Sequence, residues 1–437
     1  MFSYYLQLGL SSLRRNSVLT ILLVTAIGVG IGASMTSLTV FRGMSGDPIP
    51  QKSGQLFVPQ IDSRGPEDSG GRTDDHLADR LTYIDAMALM KAHAAKRQTA
   101  IYAAALALRP ADPKQKPFLT RLRLVYTDFF PMFEVPFLYG HPWSASEDEN
   151  HAPVIAITRS LNDRMFGGAD SVGKTLDLGG KNYTIVGVID KWEPIPQFYD
   201  IGRTPFVGKD DVFMPFTHAI EQQFAIMGSM SCNGDEPVGF AAVLQSDCIW
   251  GRFWVELSTP AEVLRFRRFL DNYADEQRRV GRYNWPARTQ LRDLMAWLKY
   301  NHVVPGEVRI LILVSFGFLL VCLLNAMGLM LAKLMGRSAD IGVRRALGAS
   351  RGAIFWQCLV ETAVVGLAGG LFGLLLTAIG LWTARALLPS EFIAVTHLDS
   401  VDVLVALVLG VGSTIAAGLY PTWRAAHVQP AWQLKAQ

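Results

Sequence analysis

The sequence predicts an α-helical membrane protein with four transmembrane helices and a large mixed α+β extracytoplasmic domain between helices 1 and 2. Three observations predict it. Half of the 437 residues are hydrophobic, too many for an average water-soluble chain. Four stretches supply the roughly 20 apolar residues of helix that a bilayer core needs, and they cluster at the two ends. Between the first and second of them, helical and strand-like patterns interleave. The net charge of +3 is small for this length and gives no support to a nucleic-acid partner.

Within residues 1–16, the stretch "MFSYYLQLGLSSLRR" places Phe2, Tyr5, Leu6, Leu10 and Leu13 on one helical face. They predict an amphipathic helix lying on membrane lipid at the cytoplasmic face. The first span, 17–41, follows Arg14 and Arg15. Its apolar run exceeds the roughly 7 to 15 residues of a signal-peptide core and lacks a cleavage site of small residues, so it reads as a retained anchor.

The outer domain occupies 42–305 and opens on a Gly-, Pro- and Asp-rich stretch, "GDPIPQKSGQLFVPQIDSRGPEDSGGRTDD", which reads as irregular chain. Leu81, Ile84, Met87 and Met90 then recur at helical spacing, and "TAIYAAALAL" and "RLRLVY" read as strands. The end of the domain, "ARTQLRDLMAWLKYNHVVPGEVRI", looks helical and reads as a stalk interrupted by Pro305. Beyond it come span two at 306–333, a basic loop at 334–352, span three at 353–388, an outer loop at 389–400, span four at 401–421 and a tail at 422–437. Span three exceeds one bilayer thickness and should tilt or project.

Orientation follows from the short loops, because Lys and Arg stay cytoplasmic. Lys333, Arg337, Arg344, Arg345 and Arg351 crowd the loop after span two, against Asp340 alone. Arg14, Arg15, Arg424 and Lys435 fall on the same side, whereas "PSEFIAVTHLDS" after span three holds no Lys or Arg. Both termini are therefore expected in the cytoplasm.

Gly168, Gly173, Lys174 and Thr175 in "GGADSVGKTL" have the spacing of a nucleotide-binding P-loop. That loop needs a strand directly before it and a helix directly after it. Here helical "RSLNDRMF" precedes it, and "KTLDLGGKNYTIVGVID" follows like a β-hairpin. The segment also falls outside the cytoplasm, so no catalytic residue is assigned and Lys174 is expected to be an ordinary exposed side chain.

Cys322 and Cys358 fall in spans and read as small apolar residues. Cys232 and Cys248 fall in the outer domain, where oxidising surroundings favour a disulfide. The rival, a metal site, lacks a nearby His or a zinc-like spacing, and the eight histidines are scattered, so no metal is expected. Gly28 with Gly32, Gly366 with Gly370, and Gly369 with Gly373 stand at small-residue helix-packing spacing, within one subunit or across a dimer. Asn325 and Glu361 lie inside spans and are expected to point into protein; Glu361, one turn from Gln357, reads as making a structural hydrogen bond, with a proton-relay role as the alternative. The Pro- and aromatic-rich "KWEPIPQFYD" reads either as a partner-touching loop or as a rigid packed connection.

At "SADIGVRRALGASRGAIFWQCLVETAVVGLAGGLFGLLL" the chain closely resembles the membrane core of FtsX-like, MacB-like ABC transporter permeases, the family that includes the lipoprotein-release permeases LolC and LolE. Its loop pattern falls on Asp340, Ile341, Gly342, Arg345, Ala346, Leu347, Gly348 and Ala349, with Asp in place of the commoner Glu. "LGLSSLRRNSVLT", "GLYPTWRAAHVQPAWQLK" and the stretch from Val125 to Asp190 are similar to other parts of the family; 191–288 and the start of the outer domain match poorly.

The resemblance implies a permease in the bacterial inner membrane that dimerises, as a homodimer or heterodimer, and docks a separately encoded ABC ATPase. ATP and Mg would be bound by that partner, with no cofactor on this chain. ATP-driven dimer motion would pass to the periplasmic domain, which exports or releases a periplasmic substrate, with a periplasmic adaptor as a further candidate partner. The alternative is an FtsX-like regulatory mechanotransmitter that activates a periplasmic partner without transport. For the basic loop the resemblance implies a coupling helix, with Asp340, Ile341, Arg344, Arg345, Ala346, Leu347 and Gly348 as contacts. Its apolar face of Ile341, Val343, Leu347 and Ile354 also suits a lipid-anchored helix, and the two roles can coexist.

Overall fold

Long apolar runs become long helices, and the polar interior between them becomes a sheet. The structure, a computed structural model, describes residues 17–62, 77–112, 114–201, 209–232, 234, 237–387 and 400–426. The amphipathic helix expected over 1–16, nearly all of the 389–400 loop and the tail beyond 426 lie outside the described residues.

In chain order the helices are α1 (Ser17–Ser45), α2 (Tyr83–Ala92), α3 (Phe129–Met132), α4 (Ala145–Glu149), α5 (Arg159–Phe166), α6 (Phe216–Glu221), α7 (Phe240–Gln245), α8 (Pro260–Arg279), α9 (Leu294–Tyr300), α10 (Gly306–Met335), α11 (Ser338–Ala346), α12 (Arg351–Leu387) and α13 (Ser400–Ala426). The strands are β1 (Leu56–Asp62), β2 (Leu81–Thr82), β3 (Arg97–Arg109), β4 (Phe118–Val125), β5 (Phe137–Gly140), β6 (Val154–Thr158), β7 (Thr175–Leu178), β8 (Lys181–Ile189), β9 (Val212–Pro215), β10 (Ile249–Glu256) and β11 (Arg288–Asp293). They form two units: Met1–Gly46 with Val304–Gln437, and the inserted Asp47–Val303.

The inserted unit is built on one mixed sheet in the order β11-β1-β10-β3-β4-β9-β6-β8-β5, with β2 beside β10 and β7 beside β3 and β8. Most pairs are antiparallel, but β4 with β9 and β6 with β8 run parallel. Both faces are covered. Phe57, Tyr102, Phe253 and Val255 pack on one side, and their chain neighbours Leu56, Val58, Ile101 and Trp254 pack on the other. Since successive strand residues point to opposite faces, a sheet covered twice requires apolar side chains at consecutive positions. That is why "TAIYAAALAL" lacks polar alternation.

Helix ends are written locally. Thr259 and Glu262 form a capping box at the start of α8, with Pro260 at its first position. Phe266, Leu270 and Ala274 line its buried stripe at four-residue spacing. Gly179 and Gly180, with φ of 62° and 84°, make the two-residue turn joining β7 to β8, a geometry that favours glycine.

The helical stalk expected from Ala287 onward is corrected. Arg288–Asp293 is strand β11, antiparallel to β1 with Pro59 opposite Leu291, and only the short α9 follows before Pro305. Backbone groups along β1 need a ladder partner, and that requirement outweighs the helical spacing of "LRDLMAWL". "KWEPIPQFYD" is a packed connection: Phe198 and Tyr199 are buried, and Trp192 stacks on Tyr199 at 5.3 Å between ring centroids.

In the other unit α1, α10, α12 and α13 are each long and apolar enough to cross a membrane. Leu23, Ile27, Ile31, Leu319, Val365 and Ala406 form its core. Glycines set the spacing of the helices. A Cβ on Gly32 would stand 2.8 Å from Leu376 Cβ, and one on Gly373 2.8 Å from Ile31 Cγ2. Gly28 likewise abuts Phe372 and Gly369, while Gly366 and Gly370 face Gly410. The glycine faces raised by the sequence therefore pack within this chain.

Span four runs past Pro421 to Ala426. Proline supplies no N–H for the Ala417 carbonyl one turn back; at the next position the Thr422 hydroxyl is satisfied by donating to the Gly418 carbonyl at 2.8 Å. Asn325 departs from expectation: it faces outward from α10. The inward side of that turn is filled by Cys322 and Ala326.

Candidate functional site

The P-loop spacing builds no phosphate cradle. Gly167 ends α5 at φ 66°, and the chain then turns directly into β7. Amides that a phosphate would need are committed elsewhere: Gly173 N–H donates to Ile185 O at 2.8 Å, and Lys174 N–H to Ser171 O at 3.0 Å. The Lys174 ammonium lies exposed, 5.1 Å from the Phe166 ring centroid. Among the described residues no group of three or more His, Cys, Asp or Glu side chains is placed to hold a metal ion.

The chemistry gathers at α11 and its seat. Glu361 of α12 is nearly buried, and a carboxylate inside a span needs a partner. It has two: Lys333 Nζ of α10 at 2.9 Å and Arg337 Nη1 at 3.1 Å. Lys333 is itself 4% exposed and reaches Thr20 of α1 at 3.5 Å. One turn back along α12, Gln357 accepts from Arg344 at 3.0 Å. Since Arg337 caps α11 and Arg344 lies in its last turn, the helix is attached to α12 at both ends. Ile341 joins Leu334, Ile354, Cys358, Met330 and Ala425 in an apolar cluster beneath it.

Gly348 ends α11 with φ of 99°. Its N–H donates to Arg345 O at 3.1 Å, and that of Ala349 to Arg344 O at 3.0 Å. These are the paired bonds of a helix terminus that requires a left-handed residue, which explains the Gly of the Ala-Leu-Gly-Ala pattern.

Side chains named from sequence divide into two sets. Ile341 faces the cluster, while Asp340, Arg344, Ala346 and Leu347 are exposed and Arg345 is half-buried. The apolar face expected from Ile341, Val343, Leu347 and Ile354 is split, because Val343 is 59% and Leu347 83% exposed. Arg344 and Gly348 already have duties within the chain, whereas Val343 and Leu347 present apolar surface outward. Lys333 and Arg337 entered the sequence reading only as orienting charges. Their link to Glu361 could have been sought from the rule that an intramembrane carboxylate needs a cation.

The inserted unit carries a second charged network. Arg123 of β4, 1% exposed, binds Asp210 through Nε at 2.9 Å and Nη2 at 3.0 Å, and also binds Asp200. Arg252 of β10 reaches Asp200 at 3.0 Å and Asp79 at 3.1 Å. Tyr199 donates its hydroxyl to Asp210 at 2.8 Å. Burial pushes the Asp200 carboxyl up, but the Arg123 and Arg252 guanidiniums hold it well below the usual carboxylate range. Asp148 goes the other way: burial pushes it up to about 7, against the pull of its Thr127 N–H and Trp143 indole donors.

Cys232 and Cys248 are disulfide-bonded, fastening the 231–232 segment to the start of β10, where Ser231 pairs with Ile249.

Comparison with known proteins gives two family matches. Residues 20–258 match the MacB-like periplasmic core domain, and 312–430 the FtsX-like permease C-terminal domain. The macrolide export ATP-binding/permease protein MacB of Neisseria gonorrhoeae is 25% identical over 300 residues, covering 67% of this chain and 39% of that protein. MacB of Shigella boydii is 22% identical over 436 residues, covering 98% of this chain and 60% of the relative. The chain thus spans between two fifths and three fifths of these relatives' length. Among solved structures, the periplasmic region of MacB from Actinobacillus actinomycetemcomitans aligns at TM-score 0.36 and 12% identity, over 56% of this chain and 92% of that one. The extracellular domain of the noncanonic ABC-type transporter YknZ from Gram-positive bacteria aligns at 0.35 and 10%, over 54% and 99%.

Proposed function

This chain belongs to the MacB-like family of ABC transporter permeases, and from that premise we propose that it is the mechanical subunit of an ATP-driven system. It is a multi-pass membrane protein whose inserted sheet unit is the family's periplasmic domain. On the proposed reading it lies in a bacterial inner membrane with both termini in the cytoplasm. A separately encoded ABC ATPase, which binds ATP and Mg, seats against α11. Two permease subunits form the working dimer, and its motion passes to the periplasmic domains, which export or release a periplasmic substrate.

One observation carries this reading: α11 is fastened to α12 through Arg337–Glu361 and Arg344–Gln357 while Val343 and Leu347 remain exposed. An element anchored at both ends with an apolar outer surface suits a docked partner, and its anchors suit it to move the spans. Lipid alone would satisfy the exposed residues but leaves the two-ended anchoring to α12 without a use.

The test is to purify the full chain with its native partners and measure ATP turnover. Asp340→Ala combined with Arg345→Ala is expected to lose the ATPase or its response to the permease. Unchanged assembly and turnover would contradict the coupling role. ATP hydrolysis by the chain alone, abolished by Lys174→Ala, would overturn the division of labour.

A further inference from the structure

α13 joins two places that the proposed motion has to connect. Its inner end enters the seat of α11, where Ala425 packs in the apolar cluster with Ile341, Leu334 and Ile354. At its outer end Asp402 lies in the first turn, and Arg42 Nη1 of α1 donates to its Oδ1 at 2.6 Å. Arg42 stands in the last turn of α1, after which the chain enters the inserted unit at Asp47. The 27 residues of α13 span about 40 Å, the depth of a bilayer with its headgroups. One helix therefore runs from the α11 seat to the end of α1 where the periplasmic domain is inserted.

The outer contact differs in kind from the rest of the helix. Asp402 is the one acidic residue of α13, and its side chain is 4% exposed. A carboxylate taken out of water at the mouth of a span is costly unless a cation meets it. Elsewhere α13 packs by small and apolar groups: Ala406 in the core, Gly410 against Gly366 and Gly370, and Gly418 against Thr362 and Met330. Dispersion contacts of that kind lose a quarter to a half of their strength over a gap of about 0.5 to 1 Å. An ion pair in low-dielectric surroundings still attracts at about 4 Å, so it holds while two helices slide. Between described residues the helical unit makes ion pairs in two places, Glu361 with Lys333 and Arg337 at the α11 seat and Asp402 with Arg42 at the other end.

We infer that Asp402 is a positioning residue for the ATP-driven motion: through Arg42 it ties the outer end of α13 to α1, and displacement of the α11 seat reaches the periplasmic domain by this tie. The inference rests on the coupling role of α11 and names the contact through which its motion leaves the membrane. It also gives Asp402 a different phenotype from Glu361. Glu361 stands on the ATPase side of the link, so its loss blunts the ATPase response. Asp402 stands at the far side, so its loss leaves ATP turnover in place and stops the movement outside.

The full chain reconstituted in vesicles with its native ATPase tests this. With Cys322→Ala and Cys358→Ala, and Cys232 bonded to Cys248, a spin label is placed at Leu119→Cys on β4, 72% exposed. The distance between labels on the two copies is expected to change with ATP. Asp402→Asn and Arg42→Gln should each reduce that change at least about fivefold, while the ATPase copurifies and its turnover stays within about twofold. Arg42→Lys, which keeps the cation, should preserve most of it. A full distance change in both Asp402→Asn and Arg42→Gln overturns the inference, and means that α1 is driven by its own packing on α12. Loss of ATP turnover together with the movement also overturns it, since Asp402 then only supports the fold. If the unaltered Arg42–Asp402 chain shows no ATP-dependent change, the permease reading falls and this inference with it.

Discussion

Asp200 in the periplasmic domain and Glu361 in the membrane unit are both carboxylates held between two cations, yet they fasten different things. Arg123 and Arg252 reach Asp200 from strands β4 and β10 of one sheet, and Asp210 and Asp79 share the two guanidiniums. Lys333 and Arg337 reach Glu361 from the end of α10 and the cap of α11. The first network closes a rigid sheet over the "KWEPIPQFYD" connection. The second ties a helix with an exposed apolar surface to the spans, with Lys333 extending the link to α1. The same pairing chemistry serves as a knot in one place and as a joint in the other.

Breaking the knot should have the largest effect. Arg123→Met leaves Asp200 and Asp210 without their shared guanidinium, and removal of one partner of a buried pair costs about 3 to 5 kcal/mol. Thermal unfolding of the full chain should show the periplasmic domain melting early, with the membrane helices retained by circular dichroism. Arg267→Met on the exposed side of α8 should change stability by less than about 0.5 kcal/mol.

Breaking the joint should change response more than fold. Glu361→Gln is expected to reduce the permease-dependent change in ATP turnover about 5- to 100-fold while the ATPase still copurifies, with Glu361→Asp restoring part of it. A lower melting temperature with full response would make Glu361 a structural residue only.

The smallest effect separates the two signs of titration within the periplasmic domain. Asp200 is depressed in the fold, so its contribution is present above the unfolded value near 3.8 and disappears as pH falls through the native value. Asp148 is raised to about 7; the folded state holds a proton there that the unfolded chain releases, so its contribution declines as pH rises from 4 to 7. Asp148→Asn should flatten that decline in a pH series of melting temperatures and leave the acid limb in place.

What the sequence made legible follows from the range of the forces involved. Hydropathy located all four spans and the inserted domain, because a bilayer selects on about 20 consecutive residues. The β7–β8 hairpin and the exclusion of the P-loop were legible from adjacent residues and turn glycines. Arg288–Asp293 was misread because its pairing with β1 spans more than 200 positions and helical spacing is local. Asn325 was misread because the unbroken apolar run of α10 does not mark which side of the helix packs inward. At the site, the α11 motif was visible in "SADIGVRRALGAS", but not that Arg337 and Lys333 converge on Glu361 from 24 and 28 positions away.

The central claim is that α11 seats an ATPase and transmits its motion. A photocrosslinking side chain at Leu347, 83% exposed, tests it most directly in membranes of cells expressing the full chain. The account predicts a crosslink to a polypeptide that binds ATP, reduced when Arg344→Ala or Gly348→Val disturbs the end of α11. Crosslinks to lipid alone, with ATP turnover of the purified complex intact, would contradict it.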